Sequence, residues 1–257
     1  MFIKNLKLFN FKNHSEKSFD FSPEINCFVG NNGAGKTNIL DALHYLSMAK
    51  SFLGNLDAQN ILHESDFFAI EAEIQGEEKN DIIKVQLPKE GKKIIKKNDK
   101  TYERIADHIG FLPSVMISPY DANLISDGSE SRRKFLDAMI SQTDSDYLFA
   151  LIQYQKTLQQ RNALLKYFAK NRTFDLDSLE IYNEPLTKFG TQIFEKRQRF
   201  VASILPTIQH FYEIISKGNE KVTVIYESNL NEQNFEEILS ENLEKDRVLT
   251  YTSRGIH

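Results

Sequence analysis

An eight-residue stretch near the N terminus has the residue types and spacing of a phosphate-binding loop. It reads Gly30-Asn31-Asn32-Gly33-Ala34-Gly35-Lys36-Thr37 and fits the pattern G-x-x-x-x-G-K-[ST]. Glycines let the backbone turn its N–H groups toward phosphate oxygens. Lys36 is expected to reach the β- and γ-phosphates, and Thr37 to place its hydroxyl on Mg²⁺. The predicted nucleotide-binding residues therefore run from Gly30 to Asn38, with Thr37 as the metal ligand.

The flanking sequence has the context that such a loop requires. Residues 25–29 (Ile-Asn-Cys-Phe-Val) predict a buried strand that enters the loop. From Thr37 onward, apolar residues recur with helical spacing, including Ile39, Leu43 and Leu46. The start of that helix adds the positive end of its dipole to the predicted phosphate site.

A phosphate-binding loop does not by itself identify a reaction, because kinases, GTPases and motor ATPases all use one. The sequence contains no Asn-Lys-x-Asp element, which a GTPase would need to read its base. It also contains no run of four apolar residues followed by Asp-Asp or Asp-Glu, the metal-side element of many ATPases. A P-loop enzyme acting on a small phosphorylated substrate therefore stays open as an alternative at this point.

Composition restricts the class of protein further. The chain has 257 residues, of which 40% are hydrophobic and 26% charged, enough apolar sequence for a core. Cys27 is the only cysteine, and the opening residues lack a long apolar segment. These features predict a cytoplasmic protein with no membrane span. The net charge of −4 means that binding to nucleic acid would need local basic patches.

The hydrophobic pattern predicts an α/β part followed by a mainly helical part. Strands are predicted at 2–11, 67–74, 81–87 and 113–117, with a hairpin between the last two, and another strand in "KVTVIYES". Long helices are predicted after residue 128 and a short one at 234–246, with Pro185 and Pro206 starting, kinking or ending segments. The predicted domains are a P-loop part at 1–127, a helical arm at 128–245, and a return toward the first part at 246–257.

The predicted hairpin is rich in lysine. Between Lys84 and Arg104 the sequence has eight Lys or Arg residues and three acidic ones. Such a patch could contact DNA phosphates, although a solvated hairpin has the same composition. The candidate DNA-binding residues are Lys92, Lys93, Lys96 and Lys97.

Several segments, taken in order, resemble the bacterial RecF family of recombination-repair proteins. They are "LKLFNFKNH", "VGNNGAGKTNILDALHYLS", "DGSESRRKFLDAMI", "YQKTLQQRNALLK" and "EKDRVLTYTSRGIH". The most particular motifs are those at Arg132–Asp137, Gln160–Asn162 and Asp246–Thr250. Arg161 itself lies in mid-helix and is interpreted as structural, whereas the cations that open the helix at Arg132 could bind an anion or form ordinary salt bridges.

The resemblance implies a fold, ligands and partners. The fold would be an ABC-type ATPase head with a helical arm, here an incomplete P-loop lobe. The family is expected to bind ATP and Mg²⁺, to dimerise on ATP, and to act on single- and double-stranded DNA with RecR- and RecO-type recombination mediators. An ATP-dependent nuclease with a similar head is a further alternative.

Two positions differ from the family pattern. The opening motif is commonly Phe-Arg-Asn, whereas this chain has Phe11-Lys12-Asn13. Lysine keeps the charge but lacks the two-pronged geometry of arginine, and Lys12 is predicted as an additional nucleotide contact. The other difference is Leu53, which follows Ser51-Phe52 where the family commonly has arginine.

The resemblance also suggests that the family's signature segment, metal-side Asp and catalytic acid follow "TYTSRGIH". We therefore expect this chain to be part of a longer protein that binds nucleotide weakly and does not hydrolyse it. We also expect strand edges and apolar surface to be exposed in its first lobe.

Overall fold

The computed structural model describes residues 1–54 and 56–256. Asn55 and His257, the last residue of the third predicted domain, lie outside the described residues. The chain divides into two compact units, Met1–Asp121 and Ala122–His257. The structure places residues 246–256 with the second unit, because Asp246, Thr252 and Ile256 are buried among its helices. The predicted return of 246–257 toward the first part stays a prediction.

The first unit contains a six-stranded antiparallel sheet with the strand order β2-β1-β3-β4-β5-β6. The strands are β1 Phe2–Phe11, β2 His14–Asp20, β3 Phe67–Gln75, β4 Asn80–Pro88, β5 Ile94–Lys97 and β6 Lys100–Thr101. One long helix, α1, runs from Lys36 to Met48. The strands predicted at 2–11, 67–74 and 81–87 and the hairpin are confirmed.

Alternation of apolar and polar residues explains why these strands form one half-buried sheet. The inward-facing residues of β1, β3 and β4 pack with one face of α1. This core contains Leu6, Leu8, Phe11, Ala42, Tyr45, Leu46, Phe68, Ile70, Ala72, Ile74, Ile83 and Val85. The core fixes α1 against the sheet, and so it fixes the loop that precedes α1.

Three predicted strands are absent from the described residues. Residues 25–29, 113–117 and 221–228 have no strand partner there. Several of their apolar side chains are exposed, with Val29 at 90% and Ile117 at 82%. The prediction of a buried strand at 25–29 is wrong for this structure, because a strand is stabilised by neighbours and none pairs with these residues. The exposed apolar surface expected in the first lobe is present.

The second unit consists of helices that pack side by side. They are α2 Asn123–Ser126, α3 Ser129–Thr143, α4 Ser145–Asn171, α5 Leu176–Ser216, α6 Phe235–Glu241 and α7 Leu243–Leu249. Pro185 and Pro206 both lie inside α5, so neither starts nor ends the helix. The short helix predicted at 234–246 is two helices, α6 and α7. The change from sheet to long helices near residue 128 agrees with the sequence.

A buried arginine in α4 joins distant parts of the second unit. Arg161 is fully buried, and its Nη1 donates to Asp246 Oδ2 at 2.7 Å and to Thr252 Oγ1 at 2.6 Å. Its Nε donates to Asn183 Oδ1 at 2.9 Å. The next residue, Asn162, accepts hydrogen bonds from the backbone N–H and hydroxyl of Thr252. The interpretation of Arg161 as structural is confirmed.

A second buried arginine joins α3, α4 and α5. The guanidinium of Arg197 contacts Asp137 through Nε at 2.9 Å and Nη2 at 2.8 Å, and Nη1 donates to the Ile256 carbonyl at 2.8 Å. Tyr147 donates to the same carboxylate at 2.5 Å. Burial and the adjacent Asp137 raise the pKa of Tyr147, so the phenol stays a hydrogen-bond donor.

Candidate nucleotide-binding site

The phosphate-binding loop leads directly into α1. Gly35 is the residue before the helix, and it has no side chain to cap the first N–H groups of α1. Its φ of 90° lies in the left-handed region, and a Cβ there would meet His14 Nε2 at 2.5 Å. Glycine is therefore required at this position by both the backbone angle and the space. The uncapped helix start leaves N–H groups available to an anion.

Lys36 lies over the loop that it follows. Its Nζ donates to the Gly30 and Asn31 carbonyls, both at 2.8 Å. The ammonium is therefore held beside the same backbone whose N–H groups are predicted to bind phosphate. Thr37, at the second position of α1, is exposed. The structure thus brings Lys36, Thr37 and the uncapped start of α1 together.

Two residues that sequence reasoning did not assign to the site support the loop from the side. Asn13 Nδ2 donates to the Gly33 carbonyl at 3.2 Å, and Asn38 Nδ2 donates to Asn13 Oδ1 at 2.8 Å. His14 Nε2 lies 3.2 Å from the Gly35 carbonyl, which can only accept, so this nitrogen carries a proton. Asn13 and His14 directly follow Lys12 in the opening motif, and this position was the one signal in the sequence that could have placed them at the loop.

Lys12 does not occupy the place that the sequence suggested. Its ammonium is buried, with 8% of the side chain exposed, and lies 2.5 Å from Asp41 Oδ2. A lysine predicted as a phosphate contact is thus paired with a carboxylate of α1. This pairing exists because Asp41 is fully buried and must be neutralised locally.

The lysine-rich hairpin contains both free and engaged cations. Lys93 Nζ lies 2.6 Å from Asp57 Oδ2, donates to the Ala49 carbonyl at 2.5 Å, and sits over the Tyr45 ring. Lys97 Nζ lies 3.2 Å from Asp81 and 3.6 Å from the centre of the Phe111 ring. These two lysines hold the hairpin in place, which corrects their assignment as open phosphate contacts.

The other two candidate lysines are more accessible. Lys92 is exposed and Lys96 is partly exposed, and neither has an ion pair among the described residues. Of the four candidate lysines, these two are the ones without a carboxylate partner in the part of the chain that the structure describes. Lys93 and Lys97 differ from them because Asp57 and Asp81 lie within ion-pair distance of these two ammonium groups.

The cations that open α3 have local partners. Arg132 Nη1 donates to the Leu124 and Asp127 carbonyls, and Arg133 Nη1 donates to Ser129 Oγ. Lys134 pairs with Glu130 one helical turn earlier, at 2.6 Å. The ordinary salt-bridge interpretation therefore applies to Lys134, whereas Arg132 and Arg133 donate to uncharged oxygens.

A family model described as the RecF/RecN/SMC N terminal domain matches residues 2–226 of this chain. The chain is 52% identical over its whole length to the DNA replication and repair protein RecF of Flavobacterium johnsoniae, covering 72% of that protein. It is 44% identical to the RecF of Phocaeicola vulgatus, covering 69% of it. This chain belongs to the RecF family. The resemblance inferred from the sequence motifs is confirmed.

Solved structures of RecF proteins agree with the family assignment. The chain superimposes with a TM-score of 0.93 and 30% identity on a structure described as the recombination mediator protein RecF-ATPrS in the RecFOR pathway, covering all of this chain and 71% of that one. A second structure, described as RecF-ATP, gives a TM-score of 0.91. The predicted α/β class, an ATPase head with a helical part, is confirmed, and the relatives do not favour a small-molecule kinase or a nuclease.

The described residues contain neither a membrane-crossing helix nor a cluster of metal-ligating side chains. No helix there has the length and apolar character needed to cross a bilayer. No group of three or more His, Cys, Asp or Glu side chains in that part of the chain could hold a metal ion. A protein-only metal site is thus not present among these residues, whereas the Mg²⁺ predicted at Thr37 would be held with the help of nucleotide phosphates.

Proposed function

We propose that this chain binds ATP with Mg²⁺ at residues Gly30–Asn38 and acts in recombinational DNA repair, as its RecF relatives are named. The observation that carries this proposal is the cradle formed by the Lys36 ammonium, the loop backbone and the uncapped start of α1. Each part offers positive charge or N–H donors to a phosphate chain.

The residues of the cradle have separate tasks in binding. Lys36 exchanges its two carbonyl acceptors, on Gly30 and Asn31, for phosphate oxygens, and a charged acceptor gives the stronger hydrogen bond. Thr37 holds Mg²⁺ through its hydroxyl. A Mg²⁺ ion held there would supply positive charge against the phosphates. Asn13 and Asn38 keep the loop backbone in the shape that accepts the ligand.

DNA binding, in this proposal, uses the free lysines of the hairpin. Lys92 and Lys96 contact backbone phosphates without reading bases, consistent with a protein that meets both single- and double-stranded DNA. The partners are RecO- and RecR-type mediators, and ATP joins two copies of the full-length protein over DNA. The place of action is the cytoplasm.

Lys36→Ala is expected to abolish stabilisation by MgATP. ATP at a hundredfold over its Kd should add about 2.7 kcal/mol to the free energy of unfolding of the original chain. A thermal scan with and without MgATP measures this effect. Lys50→Ala, an exposed lysine just beyond the other end of α1, is the matched control and should keep the shift. No shift at millimolar MgATP in the unmutated chain would contradict the proposal.

Replacing Lys92 and Lys96 together with alanine should weaken DNA binding and flatten its salt dependence. Each lost phosphate contact lowers the slope of log K against log salt by about 0.9 for duplex DNA, so the double variant should lose about 1.8. Fluorescence anisotropy over a salt series measures the slope. Lys166→Ala with Lys170→Ala, two exposed lysines of α4, removes the same charge elsewhere. Equal effects from both double variants would overturn the assignment.

A further inference from the structure

Lys12 combines a restricted backbone with a buried charge. It follows β1 with a left-handed φ of 55°, and Asn10, two residues earlier, has a φ of 50°. Its backbone N–H donates to the Asn60 carbonyl at 2.8 Å. Its ammonium lies 2.5 Å from Asp41 Oδ2, with side-chain exposures of 8% and 0%. Both ends of Lys12 are therefore fixed by the protein itself.

Asp41 connects this lysine to two other segments. Its Oδ2 also accepts from Ser51 Oγ at 2.8 Å, and its Oδ1 accepts from the Phe52 N–H at 2.7 Å. Asp41 belongs to α1, whose first residue is Lys36. The carboxylate thus ties the turn between β1 and β2, the phosphate-loop helix and the segment after that helix at one buried point.

The residues after Lys12 are the ones that contact the loop. Asn13 donates to the Gly33 carbonyl, and His14 lies beside the Gly35 carbonyl. A shift of Lys12 would move both of them, because residues 12, 13 and 14 are consecutive. The Lys12–Asp41 pair therefore determines where the two supporting side chains meet the loop.

We propose that Lys12 is a positioning residue that acts through Asp41, and that it does not touch the nucleotide. The pair holds the turn of Asn13 and His14 against the phosphate-binding loop and so sets the loop's affinity for phosphates. This inference rests on the proposed binding of ATP at Gly30–Asn38.

Lys12→Met tests the role without changing the length of the side chain greatly. Loss of this support should weaken the binding of ATP and of ADP by the same factor. A loss of 1.4 kcal/mol in binding free energy corresponds to about tenfold. Isothermal titration with each nucleotide gives the two dissociation constants. Lys7→Met, on the exposed side of the same strand, is the control and should change neither constant. Loss of ATP affinity alone would show that Lys12 contacts the γ-phosphate, and would overturn the inference.

Asp41→Asn distinguishes the two possible roles by the direction in which the affinity for ATP changes. If Asp41 merely holds a phosphate-binding lysine back, the variant frees Lys12, and ATP affinity stays the same or rises. If Lys12 positions the loop, ATP and ADP affinity both fall, about as far as in Lys12→Met. Should Asp41→Asn fail to fold, Lys12→Met with Asp41→Leu removes both charges together, since such apolar replacement of a buried pair is often tolerated. Losses that simply add in this double variant would contradict a shared role.

Hydrogen exchange supplies a measurement that needs no nucleotide. In Lys12→Met, exchange of the peptide that covers residues 30–39 should accelerate, because Ala34 and Ile39 donate to carbonyls of that loop. Peptides of α4 and α5 should be unchanged. Unaltered exchange at 30–39 would overturn the positioning role even if ATP bound normally, whereas failure of ATP binding in the unmutated chain would count only against the proposed function.

Discussion

Arg161→Ala is expected to lower the free energy of unfolding of the helical unit by about 3–5 kcal/mol, the cost of removing one partner of a buried ion pair. Arg161 is fully buried, and Asp246, which it contacts at 2.7 Å, is fully buried as well. Without the guanidinium, Asp246 keeps, among the described residues, the Ser253 N–H at 2.7 Å, and its charge loses its counter-ion. Thr252 and Asn183 lose a donor at the same time.

Calorimetry tests this prediction through the unfolding temperature, and hydrogen exchange tests it through the exchange rates of individual peptides. The transition of the helical unit should fall by on the order of 10 °C. Peptides of α4 and α7 should exchange faster, while those of the sheet should not change. Arg199→Ala is the control, because Arg199 pairs with Glu195 on the exposed face of α5 and should cost less than about 1 kcal/mol.

A double variant separates the buried charge from the packing. Arg161→Met with Asp246→Leu removes both charges and should be less destabilised than Arg161→Met alone. A single variant that costs no more than Arg199→Ala would mean that water reaches the Asp246 carboxylate. That result would contradict the burial described for this cluster.

The sequence predicted the parts of the fold that depend on local pattern. Alternating residues in β1, β3 and β4 and helical spacing after Lys36 identify elements from neighbouring residues alone. The strand predicted at 25–29 does not form, because strand formation also depends on a partner segment. Its apolar residues describe what a strand would bury, but pairing depends on another segment, and no described residue pairs with it.

The nucleotide site shows the same division. Gly30–Thr37 can be predicted as a phosphate-binding loop because a contiguous motif encodes that chemistry. The contacts of Asn13, His14 and Lys12 could not be predicted, because they depend on how β1 packs beside α1. The ion pairs of Lys93 and Lys97 could not be predicted either. The sequence shows a run of cations, but their partners Asp57 and Asp81 lie elsewhere in the chain.

The motifs that carried the family resemblance acquire a physical explanation. Arg161 and Asp246 are 85 residues apart and form one buried pair, and Asp137 and Arg197 are 60 residues apart and form another. Sequence reasoning could select Gln160–Asn162, Asp246–Thr250 and Arg132–Asp137 as unusual, but it could not pair them. For Asp137, Arg161 and Asp246, the residue types follow from the need to neutralise charge inside a helical core.

Arg197→Met is expected to lower the free energy of unfolding by about 3–5 kcal/mol, because it also removes one partner of a buried ion pair. The segments that should loosen differ from those in Arg161→Ala. Arg197 is 3% exposed and contacts the Asp137 carboxylate with two nitrogens. It also donates to the Ile256 carbonyl, so its loss should free the segment near residue 256 as well as α3. Calorimetry gives the total cost, and hydrogen exchange shows whether both segments loosen together.

Lys196→Met is the matched control for that variant, because it removes the neighbouring cation in the same helix. Lys196 pairs with Asp144 at 2.7 Å, but both side chains are partly exposed, at 22% and 32%, so the cost should be about 1 kcal/mol or less. Tyr147→Phe should fall between them, since it removes two hydrogen bonds, the one that the hydroxyl donates to Asp137 and the one that it accepts from Arg197 Nε, and leaves the ion pair. If Lys196→Met cost as much as Arg197→Met, burial would not be what makes the Arg197 pair important, and the same reasoning would fail for Arg161.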